Sequence, residues 1–366
     1  MEPAIALNPL PLHATGILEI NTKAIAHNYN TMRALLQGSI CAAVLKANAY
    51  GFGANAVART LAQEGCEHFF VAHLEEGLEL RHILKSAHIY VLSGLLPGTA
   101  DLFVEHALTP ILNDYGMARE WARRGRKLPC GLHFDTGMHR NGFDKADTAQ
   151  LFDSIDVLDA LDVQFVMSHL VSSHDSKDPL NKQQKDLFDT IRKRFPEAKA
   201  SLADTGGVYL RSDYHYDIAR VGKGLFGLFP PPHNEAPLLA CAKLLGRILQ
   251  VRTASCGESV GYGATHTLMR DSKLATIGIG FADGFDRRLQ NSQAEIHGHK
   301  ALVVGRISMD YTVIDVTDVP EALCEVGAWA ELVNETLTLD ALATSIGTIS
   351  RELSTGFGDR LHRVYV

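Results

Sequence analysis

From about residue 17 to residue 240 the chain alternates short apolar runs with longer amphipathic stretches. The runs fall at 40–45, 68–72, 88–92, 108–112, 130–134, 163–167, 200–203 and 216–220. Between most of them lie segments of helical periodicity, such as those over residues 54–63 and 75–84. In the second of these, Leu78, Leu80 and Ile83 share one stripe, which directs Glu75, Glu76 and Arg81 toward water. Eight strand-like runs interleaved with helical ones predict a (β/α)8 barrel of the TIM type. Beyond residue 240 the pattern changes to runs rich in Val, Ile and Thr at 244–254, 274–281, 301–307, 311–316 and 328–333. Turn signals separate them, among them Cys256-Gly257, Asp283-Gly284 and His297-Gly298, which predicts a mainly β second domain. The expected organisation is an extended Pro-rich arm at 1–16, a barrel at 17–240 and a mainly β domain at 241–366, with Pro230-Pro231-Pro232 as connector.

Composition narrows the function classes. The chain has 366 residues and 46% hydrophobic content, enough for a barrel and an additional domain. A formal net charge of −7 gives no nucleic-acid footprint. Residues 1–16 lack a basic segment followed by a long apolar core, so no secretory signal is read. No apolar run approaches the roughly 18 residues of a membrane span. The six cysteines are scattered without a CxxC pair, as expected of reduced structural thiols in a cytoplasmic protein. His169 and His174 lie five apart and no H-E-x-x-H occurs, so no metal site is expected.

The chemistry concentrates where apolar runs end. Lys46 stands where the first run meets a polar, glycine-bearing loop, in Ala43-Val44-Leu45-Lys46-Ala47-Asn48-Ala49-Tyr50-Gly51. Such a lysine either snorkels out of a strand end or, desolvated, becomes a nucleophile able to form a Schiff base with pyridoxal phosphate (PLP). Barrel active sites lie just after the strands. Arg140 follows the fifth run, His169 closes the sixth, Thr205 follows the seventh, and Arg220 with Gly222 closes the eighth. That convergence favours a functional Lys46. Thr205 offers a hydroxyl and Gly222-Lys223-Gly224 offers backbone amides, a combination suited to phosphate. Gly222-x-Gly224-x-x-Gly227 formally matches a dinucleotide fingerprint, but no acidic residue stands about 20 residues on, which argues against NAD.

These residues resemble the alanine racemase family, fold type III of the PLP enzymes, over nearly the whole chain. The resemblance rests on the Lys46 segment, on Val71-Ala72 with Glu76 and Leu78-Glu79-Leu80-Arg81, on residues 135–142, and on Arg220-x-Gly222. In the second half it rests on Gly261-Tyr262-Gly263, residues 280–284, Gly305-Arg306 with Met309-Asp310, and Arg363-Val364-Tyr365. It implies a two-base racemase that interconverts L- and D-alanine and supplies D-alanine for peptidoglycan. Lys46 would carry PLP and act as one base, and Tyr262, supplied by the other subunit of a homodimer, would be the second. Arg220 would face the pyridine nitrogen, which it cannot readily protonate, and His169 would pack near the ring. Tyr50, Thr205, Gly222, Lys223 and Tyr365 would hold the phosphate. Arg140 would bond near the cofactor hydroxyl, and Met309 with Asp310 would line the substrate site. The sequence departs from the family pattern at four points. His133 replaces a lysine, often carbamylated, that braces the arginine matching Arg140; Asp204-Thr205 replaces Asn-Ser; Val221 replaces proline; Phe226 replaces tyrosine. A serine or broad-spectrum racemase, a decarboxylase of the same fold and a non-catalytic PLP carrier are the alternatives.

Overall fold

The computed structural model describes residues 11–124, 127–232 and 235–366, so the first ten residues of the expected arm lie outside the described ones. The chain divides into two compact units. One holds Ile25–Ala49 and Ala54–Leu239; the other holds Ala240–Val366, Tyr50–Gly53 and the chain up to Ala24.

After β1 (Gly16–Ile20), the first unit contains β2 (Ile40–Val44), β3 (His68–Val71), β4 (His88–Val91), β5 (Thr109–Leu112), β6 (Pro129–His133), β7 (Asp162–Met167), β8 (Lys199–Ser201) and β9 (Ile218–Val221). All eight runs read from the sequence carry one of these strands. They pair in parallel in the order β8-β7-β6-β5-β4-β3-β2-β9. The ring is completed beyond β8, where Arg220 N donates to Ala203 O at 2.9 Å and Asp217 N donates to Ala200 O at 3.0 Å. Strands enclosed by helices lose the polar alternation of a half-exposed sheet, and β9 is buried at each of its residues. The interior is packed with rings: Phe70 stacks on Tyr90 at 4.6 Å, and Phe165 meets Tyr90 edge-on at 5.1 Å.

The helix Ala54–Gln63 buries Val57, Ala58 and Leu61, as its periodicity implies. The helix Leu74–Ile83 buries Gly77 and Leu80, but two of its polar residues do not face water as expected. Arg81 is half-buried and donates to the carbonyls of Leu84, Ala87, His106 and Ala107 at 2.7–3.0 Å. Glu76 turns back onto backbone amides. Both side chains bond backbone groups outside their own helix, a demand that periodicity does not register.

The second unit is built on β10 (Ala242–Ala254), β11 (Ser259–Val260), β12 (His266–Thr267), β13 (Ser272–Ile277), β14 (Gln293–Ile296), β15 (His299–Val303), β16 (Thr312–Asp315), β17 (Trp329–Val333) and β18 (His362–Tyr365). The large sheet runs β13-β16-β15-β14-β17-β10-β1-β18, and the long β10 also pairs with β13. β1 lies antiparallel to β10 and parallel to β18, so residues 16–20 pair within this unit. The five runs expected here coincide with β10, β13, β15, β16 and β17. The short β14 and the charged β18 have too little apolar pattern to be read, and two short helices, Leu339–Ser345 and Ser350–Thr355, were likewise not expected.

Candidate active site

Lys46 leaves β2 into an unusual backbone. Ala47, Asn48, Ala49 and Tyr50 have φ of 53°, 51°, 53° and 58°, a left-handed turn made of four residues none of which is glycine. Left-handed helical backbone costs L-residues roughly 1–2 kcal/mol each, so its neighbours must hold it. Glu76 Oε1 accepts from Ala47 N at 2.6 Å, while its Oε2 accepts from Ala72 N at 2.7 Å and His73 N at 3.1 Å. Asn48 Oδ1 accepts from Ala54 N at 2.7 Å, and Ala49 N donates to Leu45 O at 2.8 Å. One carboxylate thus ties the start of the turn to the end of the neighbouring strand.

Arg220 is 4% exposed near the end of β9. Its Nη1 donates to Ser201 Oγ at 2.5 Å, and its Nη2 donates to Ser168 O at 2.6 Å and contacts His169 Nδ1 at 3.2 Å. A guanidinium only donates, so His169 Nδ1 accepts and its proton resides on Nε2. Burial pushes Arg220 down to about 10 against the opposing pull of Asp204, which leaves it cationic at neutral pH. Burial, Arg220, Arg140 and Lys46 push His169 down to about 4, with Asp204 opposing. Arg220, His169 and Lys46 therefore share one electrostatic neighbourhood at the strand ends.

Beside them the backbone forms a concave cradle. Thr205 is buried, and its Oγ1 accepts from both Gly222 N and Gly224 N at 3.2 Å. A Cβ on Gly224 would lie 2.7 Å from Thr205 Cγ2, and one on Gly206 would lie 2.5 Å from Ser173 Oγ, so both positions require glycine. Lys223 Nζ stands 3.9 Å from Asp204 and 4.5 Å over the Phe229 ring. Converging amides, a hydroxyl and an ammonium make a site for phosphate.

At the ends of β6 and β7 the segment 135–142 is shaped by Asp135, whose carboxylate accepts from the amides of Gly137, Met138 and His139 at 2.8–3.2 Å. Arg140 follows, exposed to solvent. His133 is buried and pairs through Nδ1 with Asn113 Oδ1 at 2.9 Å. The Asn113 amide nitrogen donates to Leu92 O and Ile111 O at 3.0 Å. Its oxygen therefore accepts, and the His133 proton is on Nδ1. Burial first, then Arg220, His169 and Arg140, pushes His133 down to about 3. It is a neutral ring with Nε2 as an acceptor. Sequence reasoning missed Asn113 and the bracing role of Glu76. Asn113 stands directly after a strand run, the signal that picked out Lys46 and His169.

The remaining expected residues belong to the other unit. Tyr262 is 71% exposed. Its turn is flanked by the β11–β12 ribbon, which is anchored by Val260 in a cluster with Leu268, Leu274 and Val304. Met309 is 56% exposed. Asp310 accepts from Arg360 Nη1 at 2.7 Å, while Arg360 Nε pairs at 2.9 Å with the buried Asp283. The Tyr365 hydroxyl occupies the space a Cβ on Gly53 would take, three residues beyond Tyr50. All six cysteines are free thiols, five of them buried. Among the described residues there is no cluster able to hold a metal ion and no helix long and apolar enough to cross a membrane.

A parallel barrel that gathers a lysine, an imidazole and a buried guanidinium beside a glycine-lined anion cradle defines a class of phosphate-cofactor enzymes. In this chain a strand-rich antiparallel domain follows the barrel. Residues 20–230 match the family described as Alanine racemase, N-terminal domain, and residues 241–365 match Alanine racemase, C-terminal domain. The chain belongs to the alanine racemase family. It is 42% identical to an alanine racemase of Rhodospirillum rubrum over 96% of each chain. It is 37% identical to one of Brucella abortus, over 97% of this chain and 94% of that one. Among solved structures it is similar to an alanine racemase from Bartonella henselae with covalently bound pyridoxal phosphate, at TM-score 0.91 and 34% identity over 96% of this chain and 100% of that one. It is also similar to the biosynthetic alanine racemase of Pseudomonas aeruginosa, at TM-score 0.87 and 30% identity over 96% and 99%.

Proposed function

We propose that this protein interconverts L- and D-alanine with PLP held by Lys46, in a cytoplasmic homodimer whose D-alanine feeds peptidoglycan synthesis. The observation that carries the reading is the grouping of Lys46, His169 and Arg220 beside the Thr205/Gly222/Gly224 cradle. Gly206 and Gly224, which have no room for a Cβ, the buried Thr205 hydroxyl in the cradle and the lysine at a strand end fit a phosphorylated aldehyde. Lys46, Tyr50, His169, Thr205, Arg220, Gly222, Lys223 and Tyr365 would hold it. Arg140, Met309 and Asp310 would meet the substrate. When bound, the cofactor supplies acidification of the substrate's α-C–H bond.

Lys46 Nζ exchanges a proton with Cα on one face, and the phenolic oxygen of the partner subunit's Tyr262 exchanges one on the other. Two bases on opposite faces invert the centre without turning the substrate over. Arg220 remains a cation that donates hydrogen bonds and releases no proton, so a ring nitrogen facing it stays unprotonated. The exposed Tyr262 supports a role across a subunit boundary. The cofactor domain expected over 17–240 would begin only at residue 25, since β1 pairs within the unit of 241–366 that lends Tyr262.

Polarimetry tests the function. L- and D-alanine should each lose their optical activity with the PLP-loaded enzyme, faster than serine or lysine and without CO2 release. Faster loss with serine would move the substrate assignment; CO2 release would indicate a decarboxylase, and constant rotation a carrier.

A further inference from the structure

At the end of the barrel opposite Lys46 lies a second concavity, a cavity of about 940 Å³. Its lining includes Ile40, His68, His88, Thr109, Lys199 and Ile218, each the first residue of its strand. All belong to the barrel unit. Barrel interiors are normally filled by layers of side chains dominated by branched apolar residues. Here the N-terminal layer holds His68, His88 and Lys199 instead, above the rings of Tyr90 and Phe165.

The rings stand in near-parallel planes. His68 and His88 are register partners on β3 and β4, stacked at 4.7 Å and 14°. Tyr90 lies nearly parallel to His68, at 5.9 Å and 2°, and His68 Nδ1 bonds the Tyr90 hydroxyl at 2.9 Å. Phe103 and Trp121, themselves edge-to-face at 6.2 Å, line the side of the same cavity. A stack of near-parallel rings with neighbouring aromatic edges favours a flat unsaturated ligand, which can extend the stack, over an aliphatic one. The charged lining consists of Lys199 and Arg33 against the single carboxylate Glu67. His68 is pushed down to about 4, first by burial and then by the nearby His88 and Lys199, so it is a neutral ring and Lys199 and Arg33 outnumber Glu67 in the charged lining. Such a lining repels a further cation and attracts an anion.

We propose that this N-terminal mouth of the barrel binds a planar aromatic carboxylate, its ring packed against the stacked rings of His68, His88 and Tyr90 and its carboxylate drawn to Lys199. The site is separate from the racemising centre, and no chemistry is assigned to it.

The probe is 2-naphthoate on the PLP-loaded enzyme carrying Trp329→Phe, which leaves Trp121 as the sole tryptophan. Its fluorescence should be quenched saturably, with one ligand per chain. Saturating D-alanine should leave the quenching unchanged. Lys199→Gln should weaken binding by about tenfold or more, as expected for loss of a charge-assisted contact, while racemisation continues at its original rate. Uncharged 2-naphthamide should bind more weakly by a similar factor. Absence of saturation, displacement by D-alanine, or equal affinity in Lys199→Gln would each overturn the proposal.

Discussion

At the residue scale, the site depends on which side chains are kept uncharged. His133 and His169 are pushed down to about 3 and about 4, chiefly by burial and with Arg220 and Arg140 adding to it. An unfolded chain titrates these rings near 6.5. Between pH 6.5 and about 4 the unfolded state thus binds more protons than the folded one, and stability falls as pH falls through that window. Above it the stabilisation is fully present. Replacing His133 by Asn should flatten the decline by an amount on the order of a few kcal/mol. Urea midpoints at neutral and acid pH, for both proteins, measure it; identical slopes would mean that His133 is already protonated in the fold. Lys46, His169, Thr205 and Arg220 stand at the ends of apolar runs, which singles them out in the sequence, whereas Tyr50, Tyr262, Met309, Asp310 and Tyr365 are pointed to only by the family resemblance. Asn113 was not legible, because a neutral amide after a strand resembles any turn residue until the histidine it orients is known.

At the element scale, two short segments carry the geometry. The left-handed turn after Lys46 was read only as a polar loop, because φ sign leaves no periodic trace in residues such as Ala47 and Ala49. Its brace, Glu76, sits on a helix whose pattern assigns it to water. Glu76→Ala removes the acceptor of three backbone amides. The Ala47 and His73 amides can turn to water, so the cost is concentrated at the part-buried Ala72 amide, about 1–3 kcal/mol. The variant should show a lower denaturation midpoint together with weaker PLP retention on dialysis. Lost stability with unchanged retention would make Glu76 purely structural. The cradle was legible as Thr205 with Gly222-x-Gly224, and the structure adds the reason for Gly224. In Gly224→Ala the new methyl must displace Thr205, which lies 2.7 Å away. PLP affinity should drop by about tenfold or more, the scale of one lost charge-assisted hydrogen bond. Equilibrium dialysis against free PLP reads this directly, and unchanged affinity would place the phosphate elsewhere.

At the scale of the whole molecule, the eight-run pattern was enough to read the barrel, because a buried parallel strand is apolar throughout. The second sheet was less legible. One end of it is formed by β1 and β18, segments more than 300 residues apart whose pairing no local pattern records. Lys46 and Tyr262 fall in different units of one chain. We propose that they form one racemising centre across two subunits. Lys46→Ala and Tyr262→Phe homodimers should each be inactive as racemases, with Tyr262→Phe still retaining PLP. After subunit exchange, heterodimers have one site with both residues intact and one with neither. An equal mixture should therefore recover about a quarter of wild-type racemisation if the dimer is symmetric and exchange is random. No recovery once exchange is complete would contradict a shared centre.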